Sequence, residues 1–146
     1  MINTQARVTA AVPDSAYGGA QTFAHNDHVN GPEELAAVPS PTRQFAVFAS
    51  GSFEVLQPMG QVTAWAEVRS QCEVVIAYRV GRDSTQAALN VMLEDRDRLH
   101  YELTRADQMS AGLHRRSVTG STIDYAPDGG VALMRLALTL DYRPSF

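Results

Sequence analysis

Residues 61–80 constrain the fold more than any other part of this chain. Val62, Ala64, Ala66, Val68, Cys72, Val74, Ile76, Tyr78 and Val80 hold the even positions, with Ser70 the polar exception. The odd positions carry Gln61, Thr63, Glu67, Arg69, Gln71, Glu73 and Arg79, interrupted by Trp65, Val75 and Ala77. A period of two places alternate side chains on opposite faces, so this is a strand with one core face and one mostly wet face. Upstream, Phe45, Val47, Ala49, Phe53 and Val55 share one parity and read as a second half-buried strand. Gln57-Pro58-Met59-Gly60 supplies the turn between them.

Downstream the period changes from two to between three and four. Ala88, Leu89, Met92, Leu93, Leu99, Leu103 and Ala106 form a helical stripe, entered through Gly81-Arg82-Asp83-Ser84, where Asp83 or Ser84 can cap the first turn. The charged residues 94–98, with Glu102 and Arg105, fall mainly off that stripe and read as a solvated face. Residues 113–125 form a less regular strand. Val118 differs in parity from Ile123 and Tyr125, which predicts a bulge near Gly120-Ser121. Pro127-Asp128-Gly129-Gly130 is a hairpin turn, and Ala132, Met134, Leu136, Leu138, Leu140 and Tyr142 line the core side of a last strand.

The order β-β-α-β-β predicts an α+β fold: a four-stranded, largely antiparallel sheet with one long amphipathic helix packed on one face. An irregular N-terminal segment precedes it. Residues 1–12 read as a short helix, and Pro13, Gly18, Gly19, Gly31, Pro32, Pro39 and Pro41 make the following stretch loop-like. Within it, Asn30 or Gly31 can cap a short helix with Pro32 in its first turn, followed by Glu33, Glu34 and Leu35. The expected organisation is a single domain, with residues 1–42 as N-terminal helix and loop and residues 43–146 as the core.

Lengths raise a question about the first hairpin. A strand of about 20 residues reaches roughly 65 Å, while a helix of about 23 residues spans only roughly 35 Å. Either a bulge bends the hairpin, or its outer half projects as an arm that buries its apolar face on another subunit. Phe48, Leu56, Met59 and Trp65 near that tip favour the arm.

Chemistry is harder to place. The net charge of −4 gives no electrostatic case for tracking nucleic acid or lying on an anionic membrane. No apolar run approaches the roughly 20 residues that span a bilayer, and residues 1–12 lack the plan of a signal peptide. Cys72 is the single cysteine, which excludes an intramolecular disulfide, and a reducing compartment is expected. Cys72 sits mid-strand and reads as a small core hydrophobe. His25-Asn26-Asp27-His28 brings two imidazoles together without a third ligand nearby, so no metal is expected. Ala49-Ser50-Gly51-Ser52 resembles a nucleophile loop but lies in a strand pattern, where Gly51 marks a bulge or a close-packing position. The pairs Glu33-Glu34 and Asp95/Asp97 read as surface charge. No nucleophile, base and oxyanion site come together, so neither enzyme activity nor a cofactor is expected.

All twelve basic residues are arginine. A GC-rich coding sequence explains this, and so does a preference for planar, bidentate contacts at subunit interfaces. Arg115-Arg116, with Arg82 possible nearby, is the densest basic spot and too small for a backbone-tracking surface.

Two stretches are familiar as a set. One is Val74-Val75-Ile76-Ala77-Tyr78-Arg79, then Asp83, then Leu89-x-x-Met92-Leu93-x-Asp95-x-x-x-Leu99-x-x-x-Leu103. The other is the closing hairpin from Gly129-Gly130-Val131 to Leu138-x-Leu140-x-Tyr142. Over residues 43–142 these resemble the tail terminator proteins of tailed bacteriophages. The resemblance implies a hexameric ring that caps the tail tube, stops its polymerisation and presents a surface to the head. It also implies a virion protein of the tail or neck, assembled in the host cytoplasm, with the tail tube protein and a head–tail connector as partners. DNA would pass through the lumen without sequence-specific recognition, and no membrane is involved. Phe48, Leu56, Met59, Trp65, Arg69, Arg82, Arg115 and Arg116 are then the candidate subunit or partner contacts. Two other readings stay open: a head–tail connector or other neck protein, and a small-molecule-binding or enzymatic α+β domain using a pocket between helix and sheet.

Overall fold

The computed structural model describes residues 4, 23–26, 29–37, 43–58, 66–79, 85–105, 113–125 and 130–143. The elements are β1 (Phe23–His25), α1 (Pro32–Ala37), β2 (Arg43–Pro58), β3 (Ala66–Arg79), α2 (Thr85–Thr104), β4 (Leu113–Tyr125) and β5 (Val131–Tyr142). They build a five-stranded sheet in the order β1-β2-β3-β5-β4. Every neighbouring pair is antiparallel except β1 with β2. The expected hairpin–helix–hairpin core is present, and the helices expected after Pro32 and before Thr104 form.

β1 is the strand the sequence did not announce. It is three residues long and sits in a Gly/Pro-rich stretch, too short to display a period. Its hydrogen bonds come from the edge of β2, with Phe23 opposite Arg43 and His25 opposite Phe45. The amide of Asn26 continues the pairing to the Phe45 carbonyl at 2.8 Å. The sheet therefore has one strand more than the four expected.

β3 lies at the centre, paired with β2 on one edge and β5 on the other. A central strand can be covered on both faces, and this one is. On one face Phe45, Cys72, Val74, Ile76, Tyr78, Met134, Leu136, Leu138 and Leu140 pack beneath Met92, Leu99 and Leu103 of α2. On the other face Ala46 and Val75 close against Leu35 of α1, joined by half-buried Phe48, Ala77 and Leu133. Val75 and Ala77, apparent interruptions of a wet face, are the floor for that short helix. α1 begins as expected, with Pro32 at its first position. Glu34 Oε2 accepts the amide of Asn30 at 2.9 Å, and Glu33 and Glu34 sit at the electropositive helix start.

The parity of β2 survives the first of its two register shifts and is broken by the second, between Val55 and Gln57, where β2 gains one residue over β3. Between Ala49 and Phe53 the chain gains two residues over β3, an even number, so Phe53 returns to the face of Ala49. β4 shifts between Val118 and Gly120, as the broken parity predicts, and Thr119 Oγ1 bonds the Ala137 carbonyl at 3.3 Å beside the shift. β2 and β3 outrun β5 only in the pairs Gln57–Glu67 and Pro58–Ala66. The hairpin is thus bulged, while the arm's tip, residues 59–65, lies outside the described residues. So do the expected cap at residues 83–84 and, apart from Thr4, the helix at residues 1–12.

Candidate assembly surface

Reactive chemistry is scarce in the described residues. No group of three or more His, Cys, Asp or Glu side chains among them converges as a metal site. His25 ends β1, and His28, the other imidazole of that stretch, lies outside the described residues. Gly51 falls inside the first register shift of β2, which accounts for the nucleophile-like Ser50-Gly51-Ser52 as strand backbone. Cys72 is 5% exposed, and burial pushes its thiol up to about 11, so it is not a thiolate near neutral pH. No helix among the described residues is long and apolar enough to cross a membrane.

One pair of adjacent arginines separates completely. Successive residues of a strand point to opposite faces. Arg115 is exposed, whereas Arg116 is 2% exposed and turns under α2. Its Nε donates to the Leu103 carbonyl at 2.6 Å and its Nη1 to Thr4 Oγ1 at 3.3 Å. The last carbonyls of a helix lack partners within it and carry the negative end of its dipole. Arg116 is therefore an internal clamp on the end of α2, not a surface contact.

The remaining candidates divide as follows. Phe48 lies opposite Glu73, well inside the sheet, and packs in the cluster beneath α1 rather than at a tip. Leu56 belongs to β2. Met59, Trp65 and Arg82 lie outside the described residues. Arg69 makes a two-pronged contact with Asp141, Nε to Oδ1 at 2.8 Å and Nη2 to Oδ2 at 3.0 Å. That hydrogen-bonded carboxylate raises the Arg69 pKa further above its ordinary value. The planar contact expected of an arginine is here, but within the subunit.

Strand register extends this pair into a row. Glu54 stands opposite Arg69, Arg69 opposite Asp141, and Asp141 opposite Arg115. Directly opposed residues share a face, so the row reads acid, base, acid, base across β2, β3, β5 and β4. The Glu54 carboxylate also contributes to holding Arg69 charged. A second row lies beside it on the face of α2: Val55, Val68, Tyr142 and Leu113. Val68 is buried, Tyr142 and Leu113 are half-buried, and Val55 is 49% exposed. α2 packs nearest β4, so the α2 face of β2 loses cover toward its far end. On the same face as the charged row, Arg135 lies 3.5 Å from Glu73 and 3.6 Å from Asp124. Acids and bases alternate on this face, and no basic track forms among the described residues.

Sequence reasoning selected Arg69 and Arg115 but missed Glu54 and Asp141. Their alternation is invisible along the chain, because Arg69 and Asp141 are 72 positions apart.

No protein-family model and no curated protein matches this chain in sequence. In structure it is similar to a chain of the virion of a native gene transfer agent particle, with a TM-score of 0.52 at 14% identity. The match covers 97% of this chain and 92% of that one, so the two share a fold along nearly their full lengths.

Proposed function

We propose that this protein is a structural component of a tailed-phage or gene-transfer-agent particle, acting as the tail terminator. In that role it forms a ring, a hexamer by resemblance, that caps the tail tube, ends its polymerisation and presents the head-joining surface. The observation that carries this reading is the nearly full-length fold match to a chain of a gene transfer agent virion. The described surface pairs its charges across strands and the Cys72 thiol is buried and unreactive, which suits a protein that works by shape. Its partners are copies of itself, the tail tube protein and the head–tail connector, and its place is the tail or neck of the particle. Of the eight candidate contacts, Leu56, Met59, Trp65, Arg69, Arg82 and Arg115 remain attached to this reading, because Arg116 is held internally and Phe48 packs beneath α1.

A neck protein such as a head–tail connector fits the same fold match, since likeness to a virion chain points to a particle and not to a position within it. Deleting the gene from the particle-producing strain and imaging the lysate separates the two. Tails of uncontrolled length support the terminator, whereas tails of normal length beside unjoined heads support the connector. Particles of normal form and infectivity or transfer activity overturn both.

A further inference from the structure

The sheet has two open edges among the described residues. β4 is the outermost strand on one side. On the other side, β1 pairs with β2 only along Arg43–Phe45, leaving the rest of the outer edge of β2 without a strand. Open edges present unpaired backbone donors and acceptors and invite a further strand. Both rows described above end at these two edges. The charged row ends in exposed Glu54 on β2 and exposed Arg115 on β4, opposite in sign. The apolar row ends in exposed Val55 on β2 and half-buried Leu113 on β4.

We propose that copies of this chain join edge to edge, β4 of one protomer against β2 of the next, with Arg115 meeting Glu54 and Leu113 meeting Val55. This rests on the reading of the protein as a ring component. Strand direction agrees with it. β2 and β5 run one way, β3 and β4 the other, so a neighbour related by rotation about an axis along the strands brings its β2 antiparallel to β4. Row position agrees as well. Glu54 and Arg115 occupy the same row, so the seam continues both rows with no offset along the strands, as closure into a ring requires. A β4–β4 seam, by contrast, would leave Glu54 and Val55 in solvent. β4 shifts register between Leu113 and Arg115, which puts these two residues in adjacent rows, as Val55 and Glu54 are on β2.

Charge exchange tests the seam directly. Glu54→Arg alone and Arg115→Glu alone each place like charges across it, and association weakens by about tenfold per seam. Mixing the two variants restores opposite charges at every seam, so the mixture should assemble where neither variant does. Sedimentation velocity reads the outcome, with far-UV circular dichroism confirming that each variant folds. A second arm introduces no charge. Val55→Cys with Leu113→Cys in one chain should give a ladder of disulfide-linked oligomers under mild oxidation, and either cysteine alone should not. Within one chain these positions are three strand spacings apart, about 14 Å, beyond the reach of a disulfide. Variants that assemble like the wild type, or a double-cysteine chain that links no faster than its single controls, would overturn the seam and leave the ring reading intact. A wild type that remains monomeric at millimolar concentration overturns both.

Discussion

Tyr78 donates its phenolic hydrogen to Asp95 Oδ2 at 2.8 Å, with Tyr78 and Asp95 each 2% exposed. The bond links the centre of the sheet to the middle of α2 and lets an acidic residue lie on the helix's buried side. Asp95 had every appearance of surface charge in the sequence, flanked by Glu94, Arg96 and Asp97. Removing the hydroxyl leaves a buried carboxylate short of a donor, which costs more than the bond's net contribution. Tyr78→Phe should lower stability by about 1–3 kcal/mol, read from urea denaturation at constant m.

Arg116 makes a comparable link at the C-terminal end of α2. Its charge-assisted bond to the Leu103 carbonyl fills a place that the helix itself leaves empty. Arg116→Met keeps much of the side-chain volume and should cost about 2–3 kcal/mol. Hydrogen exchange should quicken most in the last turn of α2. Arg116→Lys keeps the charge but not the forked donor geometry, and should recover only part of the loss.

Cys72 predicts a specific response to alkali. Its folded-state pKa, pushed by burial from 9.0 to about 11, lies above the unfolded value. Between those values the unfolded chain holds fewer protons than the folded one, so stability falls as pH rises from about 9 to about 11. The thiol's contribution to that fall is about 2–3 kcal/mol. Denaturation curves of the wild type and Cys72→Ala across this range isolate it, since the variant loses only the part due to other groups. At pH 7 to 8, by the same logic, iodoacetamide should label the native thiol far more slowly than the unfolded one.

Leu35 carries the second layer. It is fully buried between α1 and the β2–β3 face. Leu35→Ala should destabilise the fold by about 2–5 kcal/mol. Exchange should rise at β1 and α1 before it rises at β5, because β5 is held from both sides by β3 and β4.

Several elements were legible residue by residue. The clean alternation of β5 became a strand whose even positions are buried, with only Tyr142 at its end half-exposed. The parity break after Val118 became a register shift at that point. Pro32 with Glu33 and Glu34 opened a helix where capping chemistry places one. Each signal is local, a matter of one strand's pleat or one helix's first turn. Where the signal was absent, as in the three residues of β1, or misleading, as in the charge surrounding Asp95, a partner far along the chain supplied the bond.

By itself, then, the sequence determined the strands and helices of the core, β1 apart, and which face of each strand meets the long helix α2. Periodicity along a chain encodes direction but not neighbour. Only the tertiary structure decided that β3 lies between β2 and β5, that α1 covers the second face, and that Arg115 and Arg116 part company. The same pairing set Glu54, Arg69, Asp141 and Arg115 in one alternating row, because register between strands is fixed by the packing of every pair at once.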